Sequence, residues 1–432
     1  MPKLLLISFD AVGSEELSIL SKQPNFKKII NKGTLFDRMK TVFVSNTYPV
    51  HCSVATGVVP AVHGLCSNTL LDPEKSTYWN YDSRILKHKT LWQAAAEKGL
   101  KVANVLWPVT GFAPSIKWNI PEIVVPHGQS QIKANLKSGS VCIQIKEFLR
   151  HRTLLNGIRQ PQLDTFAMHS AVDIINEKNP DFMLLHLTSY DSLCHAYGRM
   201  SEKAVKAIEF LDEILGELVA ACEKTNVKHG MPADSTCFII FSDHAQLNVH
   251  TNIHPNAVLK KKGFLEFEPL AKTPFGNEAS HILNWRCFFQ YSGGSAFFFN
   301  APLVGKKRKG LTYSEVKDLK AEILLLDGVE RLLTQEELVE SGFAHCNFCD
   351  GARFGLAAKE GWYFDETNCK KATHGYTTMV NVDSRCKKGF EKRPKYDTFC
   401  AINKDKKHIG TQCSTVTDIT KLVAEILDLD MQ

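Results

Sequence analysis

After Met1 and Pro2 the chain continues with the stretch Lys3-Leu4-Leu5-Leu6-Ile7-Ser8-Phe9-Asp10. Leu4 to Phe9 are apolar except for Ser8, and the acidic residue Asp10 follows them directly. Such a run predicts a strand that is buried on both faces, as in the middle of a parallel sheet covered by helices. The chain has 432 residues, of which 44% are hydrophobic, so it can bury a core large enough for an α/β domain with an inserted subdomain.

Similar apolar runs recur along the first 250 residues, where they alternate with amphipathic segments. This alternation predicts an α/β fold in which a mostly parallel central sheet has helices on both faces. The predicted strands after the first are Lys101–Trp107, Phe182–Leu187 and Thr236–Phe241, and the predicted helices are Leu91–Glu97, Leu163–Glu177, Glu202–Glu223 and, at the end of the chain, Val416–Leu427.

The pattern changes near residue 260. Short aromatic runs at Phe264–Phe267, Trp285–Tyr291 and Ser295–Phe299 predict strands, and helical patterns follow at Thr312–Leu326 and Gln335–Glu340. We therefore predict that residues 260–372 form an inserted, smaller α+β subdomain. Residues 1–259 and 373–432 then form the main α/β domain.

Aspartate and histidine side chains follow the predicted strands at the points where these strands end. The carboxyl ends of parallel strands meet at one edge of an open sheet, where ligands bind. A single aspartate in such a place is usually a helix cap or a turn residue, so the argument rests on the repetition at successive strands. The candidates are Asp10, Asp191, His195, Asp243, His244 and, after the predicted insertion, His374.

The residue types of this group indicate a metal centre. Carboxylate and imidazole together suit zinc or manganese better than calcium, which prefers oxygen ligands alone. Six such groups are too many for one tetrahedral ion. They suit two neighbouring divalent ions, the arrangement that stabilises the attacking and leaving oxygens in phosphoryl chemistry.

A second signal lies between Ser45 and Gly57. Pro49 favours the first turn of a helix and Gly57 its end, which puts Thr47 at the helix N-terminus. Thr47 is there either a helix cap or, beside a metal ion, a nucleophile. The side chains of Ser45, Ser53 and Cys52 are chemical rivals for the nucleophile. A sulfatase Cys-x-Pro-x-Arg pattern at Cys52 is excluded, because valine and threonine occupy the proline and arginine positions.

Composition excludes several other classes. The net charge of +6 is spread thinly, and the one basic run, Lys306–Lys309, predicts a solvated loop rather than a stable nucleic-acid site. The first apolar run is too short for a signal peptide, and no later run reaches the ~18 residues of a membrane span. We therefore predict a cytoplasmic protein without membrane attachment, whose 13 cysteines are reduced. Cys346 and Cys349 are interpreted as two free thiols rather than half of a zinc site.

Five blocks, in this order, resemble the nucleotide pyrophosphatase/phosphodiesterase branch of the alkaline phosphatase superfamily. The resemblance extends over about residues 3–380 and also includes Gly293-Gly294-Ser295-Ala296 and the segment Arg353–Phe364. The blocks are Ile7–Asp10; Asn46–His51 continuing to Thr56-Gly57 and Pro60-x-x-His63-Gly64; Asp191-x-x-x-His195-x-x-Gly198; Ser242-Asp243-His244; and Thr373-His374-Gly375-Tyr376.

The resemblance implies an enzyme that hydrolyses phosphodiester or pyrophosphate bonds of small, nucleotide-like molecules with two divalent ions, zinc or else manganese. It assigns one ion to Asp191, His195 and His374, and the other to Asp10, Asp243, His244 and the oxygen of Thr47. It further implies that Thr47 forms a covalent phospho-threonine and that Asn68 donates a hydrogen bond to a phosphoryl oxygen. Tyr48 matches an aromatic position that stacks on a nucleobase, with a core aromatic as the equal alternative.

The chain departs from the family pattern at Ala245, where a glycine usually follows Asp-His. A phosphomonoesterase, phosphonate hydrolase or phosphomutase of the same superfamily remains the alternative function. Diesters are favoured because the nucleophile block contains no basic residue, although Lys89, Arg84 or a residue of the insertion could supply one. A non-catalytic binding protein is less favoured, since every implied ligand and the nucleophile are present. The substrate-selecting residues are predicted in the insertion and near Trp107–Trp118.

Overall fold

The computed structural model describes residues 3–75, 78–126, 129–269, 280–303, 309–346, 348–367, 369–376 and 396–432. Most of the basic run Lys306–Lys309 lies outside these residues. The strands are β1 Lys3–Phe9, β2 Thr34–Met39, β3 Val102–Val105, β4 Trp118–Ile120, β5 Phe182–Leu187, β6 Thr236–Phe241, β7 Leu247–Asn248, β8 Thr251–Ile253, β9 Leu265–Pro269, β10 Ser280–Trp285, β11 Cys287–Ser292, β12 Ser295–Asn300, β13 Val329–Leu332, β14 Phe354–Ala358, β15 Trp362–Phe364, β16 Ala372–Thr373 and β17 Thr398–Ile402.

The α-helices alternate with these strands in the first half of the chain and at its end. Where the helical predictions fall on described residues, the observed bounds differ from them by at most five residues. The helices are α1 Leu17–Leu20, α2 Pro24–Lys32, α3 Thr47–Thr56, α4 Pro60–His63, α5 Leu91–Glu97, α6 Gln131–Ser138, α7 Val141–His151, α8 Gln162–Lys178, α9 Ser189–Tyr197, α10 Glu202–Lys228, α11 Pro255–Lys261, α12 Tyr313–Ile323, α13 Gln335–Glu340 and α14 Asp418–Leu427.

The central sheet has seven strands in the order β2-β17-β6-β1-β5-β3-β4. Strands β6, β1, β5, β3 and β4 are parallel neighbours, and β17 runs antiparallel to both β6 and β2. The prediction of a mostly parallel sheet is therefore confirmed.

The structure of strand β1 explains why residues Leu4–Ile7 are all apolar. Leu5, Ile7 and Phe9 lie in a core that includes α8 and α10, whereas Leu4 and Leu6 point to the opposite core, formed with α3, α5 and α14. Side chains alternate between the faces of a strand, so helices on both faces require apolar residues on both; the buried Ser8 is an exception that bonds to His51. The predicted helical layers on both faces are confirmed.

A second core lies over an antiparallel sheet in the order β11-β12-β14-β13. Its strands come from the region predicted as the insertion, and α12 packs on it through Leu319 and Ile323. The same core also takes in Phe43 and Val44 from the N-terminal part of the chain. The domain boundaries at residues 260 and 372 stay a prediction.

No helix in the described ranges combines the length and the apolar character that spanning a bilayer requires.

The contact between α7 and α8 contains a buried acid. The Glu147 side chain on α7 is 0% exposed and lies near Asp173 on α8. Neither of its carboxylate oxygens has a hydrogen-bond partner among the described residues. Burial, and after it the charge of Asp173, raises the pKa of Glu147 to about 7.

This shift predicts a pH-dependent stability. The unfolded chain loses the Glu147 proton near pH 4.5, whereas the folded chain holds it until about pH 7. Stability from this group is therefore complete below pH 4.5 and is lost as the pH rises through 7. We expect Glu147→Gln to raise the free energy of unfolding by about 1–2 kcal/mol at pH 8, after allowing for solvent screening, and by much less at pH 5.

Urea unfolding of the chelator-treated protein at the two pH values measures this difference. Glu209→Gln, which changes an exposed acid on α10, is the matched control and should change stability little at either pH. An equal effect of Glu147→Gln at pH 5 and pH 8 would contradict the interpretation.

Candidate metal centre

The predicted aspartates and histidines meet at the carboxyl edge of the central sheet. Asp10 follows β1, Asp191 lies in the first turn of α9 after β5, and Asp243-His244 follows β6. The strand ends are joined by hydrogen bonds from the Asp10 N–H to the Leu187 carbonyl (3.0 Å) and from the Ala11 N–H to Asp243 Oδ1 (3.1 Å). The parallel strand order therefore brings distant parts of the chain into one site.

One group of ligand atoms belongs to Asp10, Asp243 and His244, all within 4.8 Å of one another. All three residues are buried. His244 Nε2 lies 3.2 Å from Asp243 Oδ2 and 3.5 Å from Asp10 Oδ1, and these two oxygens have no hydrogen-bond partner in the described part of the chain. Burial raises the pKa of Asp243, and burial together with neighbouring aspartates raises the pKa of Asp10 well above its ordinary value.

A second group consists of Asp191, His244 and His374, again within 4.8 Å. His195 is next to it, with Nε2 at 3.4 Å from Asp191 Oδ1 and its ring 5.4 Å from that of His374. Burial lowers the pKa of both His195 and His374. Neutral imidazoles are the form that coordinates a metal ion.

Hydrogen bonds orient these two imidazoles. His195 Nδ1 donates to the Ala372 carbonyl at 2.7 Å, and His374 Nδ1 donates to Asn46 Oδ1 at 2.9 Å. In both rings Nε2 is left as the ligand atom. A histidine ligand commonly donates its other ring N–H to an oxygen in this way.

The glycine pair singled out in the sequence holds His374 in place. The Gly294 N–H donates to the His374 carbonyl at 2.9 Å, and the Ser295 hydroxyl donates to the Gly375 carbonyl at 2.7 Å. Gly293 has φ +68°, and a Cβ there would come within 2.2 Å of the His374 carbonyl oxygen. A side chain at this position would therefore push His374 away from the other ligands.

Thr47 is the first residue of α3, and its side chain is buried beside both groups. Its Oγ1 lies 3.3 Å from His244 Nε2. The N-cap of the helix is Asn46 rather than Thr47, and the helix ends at Gly57 in a left-handed conformation, as predicted. Asn46 makes no side-chain capping hydrogen bond, and its Oδ1 accepts from His374 instead. Thr47 is therefore not the helix cap, and its hydroxyl faces the metal ligands.

Asn68 and Tyr48 adjoin the threonine. Asn68 Oδ1 accepts the Tyr48 N–H at 2.9 Å, so the amide NH2 of Asn68 is the part that can donate to a ligand. The Tyr48 ring is fully buried, packs edge-on against Trp79 at 5.1 Å and still lines the cavity described below. Tyr48 therefore combines the surroundings of a core residue with a place at the binding site.

Three side chains that contact the site were not predicted as site residues from the sequence. His51 Nδ1 donates to the Thr47 carbonyl at 2.7 Å, and Gln246 Nε2 donates to the Asp191 carboxylate. His186 lies between Asp10 and Glu122, at 3.2 Å from each. Burial opposes charge on His186, but the two carboxylates outweigh it and raise its pKa well above the ordinary value. The only signal for His186 was a polar residue inside an otherwise apolar strand.

A cavity of about 740 Å³ opens from this centre. Asp10, Thr47 and Asp191 line it beside the metal ligands, and the rest of its lining includes residues 120–126 and side chains of α6, α7 and α8.

The cysteine pair Cys346 and Cys349 does not add a metal site in the described part of the chain. Both are free thiols, and neither belongs to a group of three or more ligating side chains. The Cys346 thiol instead donates to the Phe348 carbonyl at 3.7 Å.

The donor set fits a pair of divalent cations. Two buried carboxylate oxygens lack partners, no Lys or Arg lines the described cavity, and two ligand groups share His244. His186 offsets part of the charge of Asp10. Carboxylate oxygens that lack partners remain costly to bury, and cations at these positions would neutralise them. Fold and site together define an α/β protein with a candidate dinuclear metal centre beside a threonine.

The model of one protein family, type I phosphodiesterase/nucleotide pyrophosphatase, matches residues 4–377. The chain belongs to this family, which confirms the resemblance inferred from the motif blocks.

Individual relatives carry names of the same family. Human ectonucleotide pyrophosphatase/phosphodiesterase family member 1 is 26% identical over 250 residues, and venom phosphodiesterase 2 of Crotalus adamanteus is 25% identical over 248 residues. Each match covers 56% of this chain but only 23% and 26% of the relative, so the chain spans about a quarter of these longer proteins.

Among solved structures, inactive murine ectonucleotide pyrophosphatase/phosphodiesterase 5 in complex with AMP matches with a TM-score of 0.64 and 17% identity, covering 100% of this chain and 96% of that one. The likeness confirms the predicted alkaline phosphatase-like fold.

Proposed function

We propose that this chain is a metal-dependent hydrolase of phosphodiester or pyrophosphate bonds in which Thr47 is the nucleophile. The observation that carries the proposal is the Thr47 hydroxyl at a helix N-terminus, 3.3 Å from the histidine that both ligand groups share. A helix N-terminus favours the negative charge of a phosphoryl group. The family names, which refer to phosphodiesterases and pyrophosphatases, support the same reaction.

Asp10, Asp243, His244 and Thr47 would hold one cation, and Asp191, His195 and His374 the other. Zinc fits the mixed carboxylate and imidazole donors, with manganese as the alternative. When bound, the two cations supply positive charge for the phosphoryl oxygens and lower the pKa of the Thr47 hydroxyl.

The residues of the chain carry out two displacements. Thr47 Oγ1 loses its proton to solvent and forms a bond to phosphorus, while the bond from phosphorus to the leaving oxygen breaks. The Asn68 amide donates to a phosphoryl oxygen as charge develops. A water molecule then attacks the phospho-threonine, the bond from Thr47 Oγ1 to phosphorus breaks, and the hydroxyl is restored. The relative crystallised with AMP is an inactive threonine-to-alanine variant, which supports a threonine nucleophile and a nucleotide as substrate.

Diesters are favoured over monoesters by the charge of the site. A monoester carries one more negative charge, and among the described lining residues of the cavity there is no lysine or arginine. The two basic residues considered from the sequence are engaged elsewhere, because Arg84 pairs with Asp82 at 2.6 Å and Lys89 with Glu97 at 2.9 Å. A phosphomonoesterase or phosphomutase would need a cation that these residues do not offer.

The cytoplasmic location predicted from the sequence stays a proposal, and the twelve described cysteines are free thiols. The oligomeric state is open.

The test is turnover of bis-4-nitrophenyl phosphate against 4-nitrophenyl phosphate by the zinc- or manganese-loaded protein. We expect kcat/KM to be at least about tenfold higher for the diester, a difference of ~1.4 kcal/mol in activation free energy. A preference for the monoester would move the assignment to a phosphatase or mutase. Inertness toward both esters would contradict the hydrolase proposal for simple aryl phosphates.

A further inference from the structure

A further group of ligating side chains lies away from the dinuclear centre, at the contact between α7 and α8. Glu147 and His151 belong to α7 and Asp173 to α8, and one ligand atom from each lies within 4.8 Å of those of the others. None of the three belongs to the two groups at the carboxyl edge of the central sheet, and none is among the described residues that line the cavity. This group is therefore separate from the site of the proposed reaction.

The sequence puts two of the three side chains on one face of a helix. Glu147 and His151 are four residues apart in Glu-Phe-Leu-Arg-His, and residues at this spacing are neighbours on a helix surface. The packing of α8 on α7 then places Asp173 beside them. His151 Nε2 lies 2.8 Å from Asp173 Oδ2 and 3.5 Å from Glu147 Oε2, so this ring nitrogen faces both carboxyl groups.

Glu147 is the residue that indicates a missing partner. Its side chain is 0% exposed, and neither carboxyl oxygen makes a hydrogen bond to the described residues. Burial of a carboxylate in this state is costly, and in the metal-free protein a proton offsets the cost, because Glu147 has a pKa of about 7. At Asp173 burial opposes ionisation, but hydrogen bonds from Arg150 and His151 outweigh it and lower the pKa. A cation in the place of the proton would satisfy both acids.

Arg150, the present partner of Asp173, has a second partner of its own. Its Nη1 lies 2.5 Å from Asp173 Oδ2 and 3.0 Å from Glu177 Oε1, and its side chain is 41% exposed. A cation bound to Asp173 would displace the guanidinium, which keeps Glu177 and its contact with water. Ion pairs this exposed contribute little free energy, so the loss of one opposes cation binding only weakly.

We propose that Glu147, His151 and Asp173 bind one divalent transition-metal ion, for which zinc is the best match. Carboxylates and imidazole are zinc ligands, and three protein ligands leave the fourth position to water. Calcium and magnesium prefer oxygen ligands alone and fit less well.

Binding of this ion needs two changes in protonation. Glu147 gives its proton to solvent, and His151 carries its ring proton on Nδ1, so that the Nε2 lone pair is free for the ion. The bound ion then joins α7 to α8. Both helices also supply side chains to the lining of the cavity, so the ion holds two parts of its wall together.

The test counts the zinc ions bound per chain as the free zinc concentration is raised in a metal buffer. It compares the parent protein with Glu147→Gln, which removes the charge of one ligand at nearly constant volume. We expect the parent to bind one ion more, because the dinuclear centre is the same in both proteins. Loss of the ligand should weaken the binding of this ion at least about tenfold. Asp173→Asn is the second variant and should lose the same ion, and urea unfolding after chelation shows that both variants fold.

Glu177→Gln is the matched control for general attraction of cations to acidic side chains. Glu177 pairs with Lys146 and Arg150 in the same cluster of charges but does not belong to the ligand group. Its substitution makes the same change of charge, and the additional zinc ion should stay bound.

Amide hydrogen exchange locates the ion within the chain. With zinc bound, peptides that cover α7 and α8 should exchange more slowly in the parent than in Glu147→Gln, and chelation should remove this difference. Equal zinc counts for the parent and Glu147→Gln over the whole titration would overturn the inference, and so would equal losses in Glu177→Gln and Glu147→Gln. These outcomes leave the hydrolase proposal standing, because Thr47-dependent turnover tests that proposal separately.

Discussion

Thr47→Ala is expected to lower kcat for a diester by at least about a thousandfold, because removing a nucleophile removes a whole reaction step. The fold and the metal content should change little. Thr47 is at the end of a buried helix whose N-cap is Asn46, and the aspartate and histidine ligands remain in place. Steady-state kinetics together with metal analysis of the purified variant measure both effects.

The rival nucleophiles serve as controls for this prediction. The Ser45 hydroxyl oxygen is engaged as the acceptor of the Gly375 N–H at 3.2 Å. Burial raises the pKa of the Cys52 thiol well above its ordinary value, which disfavours the thiolate. Ser45→Ala and Cys52→Ala should each retain far more activity than Thr47→Ala. Acid-quenched turnover followed by peptide mass spectrometry should find phosphate on Thr47. Near-normal kcat in Thr47→Ala, or phosphate on another residue, would refute the assignment.

The strands that position this site were predictable because of their surroundings. The predicted strands Phe182–Leu187 and Thr236–Phe241 have the observed bounds, since a strand buried on both faces is mostly apolar and ends where a run of polar residues begins. The metal ligands follow these strand ends. The pattern that predicted the strands therefore also indicated Asp191 and Asp243. Asp191 and His195 share a face of α9 because they are four residues apart.

Other features depend on tertiary contacts that a linear pattern does not contain. The apolar run Trp285–Tyr291 was predicted as one strand, but β10 ends at Trp285 and β11 begins at Cys287. The chain turns inside the run, and both strands are apolar because both pack on the second core. Residues 120–166 supply most of the lining of the cavity, and Leu106, next to the buried Trp107, belongs to it as well. Ile145, Phe148 and Leu149 on α7 line it with the spacing of a core-facing helix, so the sequence alone does not distinguish a cavity from a core.

Removal of the metal ions is expected to affect diester turnover as strongly as loss of the nucleophile. Chelation is expected to abolish diester turnover, and zinc or manganese should restore it. Asp243→Asn is expected to weaken metal binding by at least about tenfold, within the range seen when a metal site loses an interaction, and to lower kcat about a thousandfold. Metal titration and kinetics of the variant measure these changes. Full activity in the presence of excess chelator would refute metal dependence.

The free energy of unfolding of Asp243→Asn tests whether the buried carboxylates repel each other when no metal is bound. In the metal-free protein, Asp10 and Asp243 are buried close together, and each raises the cost of ionising the other. Asp243→Asn should therefore stabilise the metal-free protein and destabilise the loaded one. Asp212→Asn is the control, because this buried aspartate accepts the N–H groups of Asn25 and Phe26 and should lose stability in both states. If like-charge repulsion dominates, Asp243→Asn raises the free energy of unfolding without metal and lowers it with metal. If the carboxylate only contributes packing, the substitution changes the free energy of unfolding in the same direction in both states.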